Sequence, residues 1–589
     1  MNILETPSEC TIKIDNKQIK HNVSGLELYQ YIDDHHELRV SIRQAGEASG
    51  QDFEDPETYT SFLGKSISVN IKPTGGYVEA NRELEFIGVV TEVRIDNSVD
   101  RLNDAIITAH SPTISFDGAK HNAQYTDQSA SDIIGSLLRQ YPVTLGTIES
   151  TSGSFKFDTQ YRETDYEYIL RVAKSQGLFA FYNGKEFKLE KAQCGDIDEL
   201  IWRETLGSFR MGLGTIPHEY TATVYNYEQK KTFSQDTTSL PSQSSLSNLS
   251  KVSPDASKDV YKDSGYSEIS KYATDAQSLD SELQAERNQA LGGMVKCYGQ
   301  SNVPKVSIGH CVKIKGMDKL DGSYWVKAVK HVFEESGKYH NTFVCSPIDI
   351  SYPEKRSMAK VLDEIEKPQT VALNRPLVPE NDMQKKARFS GLHSAIVVEN
   401  EDPEGLGRIK VRYHWAEEET VWVRFMVPYA STDGGWFGLP EIGDEVIIAY
   451  EFGDPDYPIA LGAVYNKESV PPSDTSGNDC NIRMMQTKSG NQIYFNDTGG
   501  SEEIRITMDG GKNGIVMKLS GPTLSIKSDG GDVTIESNNI TIESQMDINL
   551  KASANINIEA GANLTLKGTG QLNAEGGLTS VKGNPIQLN

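Results

Sequence analysis

From Ile540 onward the chain repeats every eight residues, and no other stretch restricts its fold as tightly. The pair Ile540/Ile542 returns as Ile548/Leu550, Ile556/Ile558 and Leu564/Leu566, then weakly as Leu572/Ala574. A small residue stands two places after each full pair: Ser544, Ala552, Ala560 and Gly568, with Gly576 keeping step. Apolar residues two apart share one face of a strand, so each octad reads as a short half-buried strand followed by a turn. Fixed periods of this kind mark solenoids or arrays. Eight residues at about 3.3 Å each span only about 26 Å, too little contour to enclose a core. Three chains wound about one axis would close a narrow core, with symmetry making every stripe equivalent. No Phe, Tyr or Trp follows Phe495, as an interior too thin for rings requires. A flexible Asn/Gly/Ser-rich tail is the competing reading, but disorder does not keep isoleucine in register.

Bulk properties narrow the function. At 589 residues the chain has room for about three or four domains. A mean hydropathy of -0.47 fits a soluble protein with slender parts. A formal charge of -25 and the lack of a Lys/Arg-rich run argue against nucleic acid or an anionic membrane as the main partner. No apolar run approaches the roughly 18 residues of a membrane span. Met1–Thr11 has neither a basic start nor an apolar segment, so synthesis in the cytoplasm and exit without a signal peptide are expected. The six cysteines (Cys10, Cys194, Cys297, Cys311, Cys345 and Cys480) are thinly spread and read as reduced, mostly buried thiols.

Along the chain, strand patterns such as Thr11–Ile14 and Ile67–Ile71 alternate with two helices over residues 1–230. Ser129–Gln140 carries Ile133, Ile134, Leu137 and Leu138 on one face. Thr164 and Glu167 form a capping box that starts a helix over Ile169, Val172 and Ala173, and Gly177 stops it. Residues 232–275 turn to Ser, Asp, Thr and Lys, too polar for a core, and read as a solvated, partly disordered insertion. A helix is expected over Ala276–Leu291, more strands over Lys305–Val344, and a polar connector over Met358–Arg388. Strands at Ile409–Tyr413, Val421–Phe425 and Glu445–Tyr450, set among Gly, Pro and Asp turns, suit a five-stranded OB-type barrel.

Catalytic signatures are missing. There is no G-x-S-x-G. His36-Glu37 and His218-Glu219 open an H-E-x-x-H pattern, but Val40 and Ala222 stand where the second histidine belongs; both pairs read as exposed polar residues. Gly212-Leu-Gly214 reads as a turn, lacking a third glycine. Asp454-Pro-Asp456 reads as a tight barrel turn rather than a carboxylate pair. The last histidine is His414 and the last cysteine Cys480, so no protein-built metal site is expected near the C-terminus. No catalytic residue, cofactor or metal is expected.

The order of parts resembles the VgrG family, the spike of type VI secretion systems, which is itself similar to the hub and spike of contractile phage tails. The residues that carry the likeness are Gln160–Gly177, Gly407–Trp415, Trp422–Arg424, Pro440–Val446, Phe452–Pro458 and Gly462–Asn466, followed by the octads. The resemblance implies a mainly β fold with an α+β hub: a phage-hub-like domain of β-barrels over 1–385, an OB-fold domain over 386–470, and a trimeric β-helix needle over 471–589. It implies a homotrimer whose hub holds two similar barrels per protomer and meets an Hcp-like hexameric tube. Baseplate components, effectors and a PAAR-repeat tip protein would be further partners, with transient contact to a target membrane and secretion into the medium or target cell. Ile540, Ile542, Ile548, Leu550, Ile556, Ile558, Leu564 and Leu566 would form the trimer core. Ile586, Leu588 and Asn589 would meet the tip protein. Some spikes carry a fused enzyme, but the short links here leave no room for one. A glycan-degrading tail spike would want aromatic platforms along the needle, and a receptor-binding fibre a globular end. A phage or extracellular injection particle remains the nearest alternative.

Overall fold

The computed structural model describes residues 4–587 apart from 20–21, 44–55, 77, 99–100, 152–153, 156, 196, 227–228, 230, 240–246, 263–264, 267–275, 354–357, 359–390, 415–419 and 473–479. The chain divides into two compact units, Met1–Val470 and Pro471–Asn589. Among the described residues no helix is long and apolar enough to cross a membrane.

One hairpin organises the hub. Its strands, Gly322–Glu334 and Lys338–Pro347, pair with each other along most of their length. Each also pairs outward, and the pairings run in two circuits. In the first, Asn22–Tyr31, Glu37–Arg43, Arg101–His110, Leu84–Ser98, Ser66–Pro73 and Thr6–Ile14 pair in that order. The two hairpin strands complete the ring. In the second, the hairpin joins Cys311–Lys315, Ile197–Ile201, Leu206–Leu213 and Val295–Ser301. Ile197–Ile201 and Leu206–Leu213 are the two ends of this run of six strands, and the turn that joins them, with an isolated bridge between Trp202 and Leu206, completes the circuit.

The two circuits have separate cores. Phe333 and Tyr339, near the hairpin turn, pack in the first with Leu28, Val40, Ile67 and Phe86. Trp325, Val329, Phe343 and Cys345, toward its open end, pack in the second. Between them lies a polar seam. Gln30 Oε1 accepts from Ser307 at 2.9 Å and meets His331 Nε2 at 3.0 Å, while His331 Nδ1 meets the Tyr339 hydroxyl at 2.6 Å. Asn341 donates to the Val303 carbonyl and contacts the Tyr339 hydroxyl. These bonds offset much of the desolvation cost of burying the seam, although Gln30 Nε2 and Asn341 Oδ1 are buried there without a hydrogen-bond partner.

The helices Ala130–Leu138 and Asp165–Ser175 cover the first core with the apolar faces read from sequence. Ser129 caps one and the Thr164–Glu167 box the other. The resembling run 160–177 has physical content here. Gln160 donates to Asp165 at 2.8 Å, Arg171 pairs with Glu163 at 2.7 Å, and Tyr168 donates to Asp158 at 2.6 Å.

Several expectations are corrected. Residues 232–275 are not all solvated loop. Lys231–Asp236 pairs with Tyr220–Asn226, and Asn248–Val260 is a helix. Its inner face is built from Ser250, Ser253 and Ser257, all buried, so apolar periodicity was silent about it. Ser250 donates to Asp349 at 2.7 Å, and the Ser257 hydroxyl accepts from the Ile216 amide. Cys194 and Cys311 form a disulfide with Cα atoms 5.2 Å apart; a separation of 117 residues hid that proximity. His36 and His218 are buried rather than exposed, because the first lies in the barrel interior beside Phe86 and Tyr182. Gly212 lies in the strand Leu206–Leu213, opposite Lys296, and not in a turn. The connector expected over 358–388 lies outside the described residues except for Met358. That residue is buried and donates its amide to Asp33.

His393–Glu399, Arg408–Tyr413, Val421–Phe425, Pro458–Val464 and Glu445–Tyr450 close a five-stranded barrel in that spatial order. Ala395, Val397, Ile409, Val411, Val423, Val446 and Ile448 fill it. Asp454–Asp456 is a turn, with the Tyr457 amide bonded to the Asp454 carbonyl and Gly453 at φ +72°.

The second unit begins with an antiparallel meander of five strands: Ile482–Gln486, Gln492–Asn496, Glu503–Met508, Asn513–Lys518 and Thr523–Lys527. Beyond it, among the described residues, the octads form no strand within the single chain. A strand is defined by a neighbour to pair with, and one copy supplies none at this spacing.

Candidate functional site

Each octad does have a fixed backbone event. Bends fall at 545–546, 553–554, 561–562, 569–570 and 577–578, every eight residues. Each bend directly follows the small residue that closes the apolar motif (Ser544, Ala552, Ala560, Gly568 or Gly576), where a bulky side chain would crowd the change of direction. The side chains keep the same beat. Ile540, Ile548, Ile556 and Leu564 are 52–55% exposed, and their partners Ile542, Leu550, Ile558 and Leu566 are 61–69% exposed. All eight residues proposed for the trimer core therefore stand open along one regular ladder. Surfaces of single soluble chains rarely leave so much contiguous apolar area uncovered.

The ladder starts earlier than the octads suggest. Met485, Ile493, Phe495, Ile504, Ile506, Ile515, Met517, Leu524 and Ile526 of the meander are also exposed. The alternation in Glu503–Met508 was the signal for them, since Ile504 and Ile506 share one strand face. At the far end Ile586 is half exposed, while Leu588 and Asn589 lie outside the described residues.

The five-stranded barrel carries a second apolar surface that sequence reading missed. Ala430–Ser431 and Gly434–Gly435 form a small hairpin, and Tyr429, Trp436 and Phe437 around it are exposed, Phe437 to 82%. The loop over residues 402–408 of the same barrel is held by charge. Asp402 accepts two hydrogen bonds from the Arg408 guanidinium, at 3.1 and 2.8 Å, and three from the amides of Glu404, Leu406 and Arg408. That guanidinium, with the amides, holds the Asp402 carboxyl well below the usual carboxylate range.

One hub constellation has the parts of a nucleophilic site. His35 Nδ1 lies 2.9 Å from the Thr113 hydroxyl and Nε2 lies 3.1 Å from Asp117, with the Ser111 hydroxyl 2.7 Å from Thr113. The His35 hydrogen bond, joined by one from Thr164, lowers the Asp117 pKa against the opposing effect of burial. Yet Thr113 and Ser111 are sealed from solvent, and His35 stacks on Tyr166 at 4.0 Å. A nucleophile that no substrate can reach is a structural clasp, here fixing the turn Pro112–Phe116. Among the described residues no cluster of three His, Cys, Asp or Glu could hold a metal.

Two strand circuits sharing a hairpin and a five-stranded barrel define the class: a mainly β protein with an OB-type barrel of the phage-baseplate injector kind. Residues 393–465 match the family model of the type VI secretion system/phage-baseplate injector OB domain. Residues 6–335, more than half the chain, match the Alg8 N-terminal domain. Over 123 residues, 19% of this chain and 19% of the relative, it is 32% identical to the type VI secretion system spike protein VgrG1a of Pseudomonas aeruginosa. Over 135 residues, 20% of this chain and 12% of the relative, it is 31% identical to the actin cross-linking toxin VgrG1 of Vibrio cholerae. The chain thus spans under a fifth of each relative's length. A solved Francisella PdpA-VgrG complex shares the fold, with a TM-score of 0.56 over 90% of this chain and 89% of that one at 10% identity. The chain belongs to the Alg8 N-terminal domain family over residues 6–335, carries the injector OB domain, and is similar to the VgrG spike proteins of type VI secretion.

Proposed function

We propose that three copies of this chain form the hub and spike at the tip of a contractile injection machine. The observation that carries the proposal is the apolar ladder, open on one chain and bent every eight residues. Three ladders wound together would bury the inner side chains, each worth about 1.5–3 kcal/mol when fully covered. They would also give the unpaired octad backbone its strand neighbours. Neighbouring turns would then support one another along one dimension, which suits a rod that is driven forward.

The hub supports a matching role at the other end. Two barrel circuits per chain make six in a trimer, the number needed to seat on a hexameric Hcp-like tube. The needle would puncture the target envelope with only transient membrane contact, and baseplate components and effectors would attach around the hub. Its own work is mechanical, with no reaction to catalyse. The blunt apolar end of the needle, with Ile586, Leu588 and Asn589, would be covered by a PAAR-repeat tip protein.

Sedimentation and negative-stain imaging of the full chain test this reading. A particle of three times 65.1 kDa with a ring-and-needle outline is expected; a stable monomer would overturn it. Removing the last six residues should leave the trimer whole and abolish capture of a PAAR-repeat protein in a pull-down. Retained capture would reject the tip assignment.

A further inference from the structure

Two of the free cysteines face each other. Val295–Ser301 and Lys338–Pro347 pair antiparallel with Cys297 directly opposite Cys345. Both side chains are buried in the core of the second circuit, and the Cys345 thiol has Cys297 as a hydrogen-bond partner. Directly opposed residues of an antiparallel pair hold their Cα atoms about 4.5–5.5 Å apart, inside the range of about 4.4–6.8 Å that a disulfide spans. The same core already contains the Cys194–Cys311 cross-link.

We propose that Cys297 and Cys345 are a second disulfide site, a dithiol that closes across the two strands when the protein meets a low-molecular-weight disulfide. One cysteine thiolate attacks a sulfur of the oxidant, breaking its S–S bond and releasing one thiolate. The second cysteine, as thiolate, attacks the protein-side sulfur of the mixed disulfide and releases the other. The protein loses two protons and two electrons, and the oxidant is reduced to two thiols.

The surroundings set the pace. Burial and then the neighbouring Cys297 hold Cys345 well above the ordinary thiol range, while Lys327 pulls the other way. Lys327 is the extra residue of a bulge between Val326 and Ala328, and its side chain is buried. Bulges re-aim side chains; here the Lys327 ammonium donates to the Gly292 and Tyr352 carbonyls at 3.4 and 3.5 Å, and its positive charge favours the Cys345 thiolate against the effect of burial. The pair therefore stays reduced until the strands open, and closure welds Val295–Ser301 to the hairpin that serves both circuits. Cys480, exposed, has no such constraint and reports oxidant reactivity.

The test uses the full chain incubated with oxidised glutathione at pH 7 and pH 8.5. Free thiols are then alkylated and non-reduced peptides are read by mass spectrometry. The expected product is a Cys297–Cys345 peptide pair two hydrogens lighter than the reduced peptides, forming later than glutathionylation of Cys480 and faster at pH 8.5. Cys345→Ala should remove that pair and keep Cys194–Cys311. If the variant does not fold, the wild-type time course decides alone. Full alkylation of Cys297 and Cys345 at both pH values after Cys480 has reacted completely would overturn the proposal, as would mixed glutathione adducts that never resolve.

Discussion

The hub and the C-terminal unit use aliphatic residues in opposite ways. Strand residues of the hub such as Leu28, Val40, Ile67 and Val329 are sealed within their own chain. Ile548, Ile556 and Leu564 of the ladder recur more regularly than any of them and stay open. Hub strands find partners from distant sequence, as when Thr6–Ile14 pairs with Ser66–Pro73 and Lys338–Pro347. The octads meet only their own neighbours. Among the described residues the octads keep strict periodicity without a strand partner inside the chain, which is the observation the proposed trimer accounts for.

The sharpest break of this contrast is Ile556→Asp. Three carboxylates would meet in one narrow axis, where burying an unpaired charge costs far more than one isoleucine contributes. Complete loss of the trimer is expected by sedimentation, with the hub's circular dichroism and thermal transition kept; a trimer that survives would refute the shared axis. Acid should act on the opposite region. Burial pushes His331 down to about 3, and burial with the nearby His35 charge pushes His36 down to about 3. Unfolded histidine takes up its proton near 6.5, so between pH 6.5 and 3 the unfolded chain binds more protons. Hub stability is therefore whole above pH 6.5 and falls as pH drops through that window, by about 2 kcal/mol per histidine at pH 5. The second unit has no histidine. Denaturant melts at pH 7 and 5 should show the hub transition moving and His331→Gln moving less; equal shifts in wild type and variant would reject the cause. Smallest is Thr164→Ala, which removes the hydroxyl that accepts from the Glu167 amide at 3.1 Å. A loss of about 1 kcal/mol is expected for the hub, read from its urea midpoint, with no change in trimer mass.

Local signals were the legible ones. Thr164, Glu167 and Gly177 mark a helix because capping and left-handed stops depend on neighbours a few residues away, and the OB strands show themselves through turns. The octads gave both the exposed ladder and, through the small residues, the place of each bend. What stayed hidden depends on distance or on polar burial. Nothing near Cys194 announces Cys311. A helix whose inner face is serine has no hydrophobic period, so Asn248–Val260 looked like loop. The hairpin common to both circuits was equally out of reach, because strand patterns state which faces are buried and not which strands are neighbours. Of the proposed contact residues, the eight in the octads could be found by counting, while Met485 to Ile526 needed the meander.

That common hairpin has a mechanical meaning. A partition between two rooms cannot be pulled from one without opening the other, and Gly322–Pro347 is such a partition. Strain entering either barrel is carried into its twin through continuous backbone rather than across a seam of side chains. The pair should therefore yield together or hold together, so that a change that loosens one circuit is felt at once in the other.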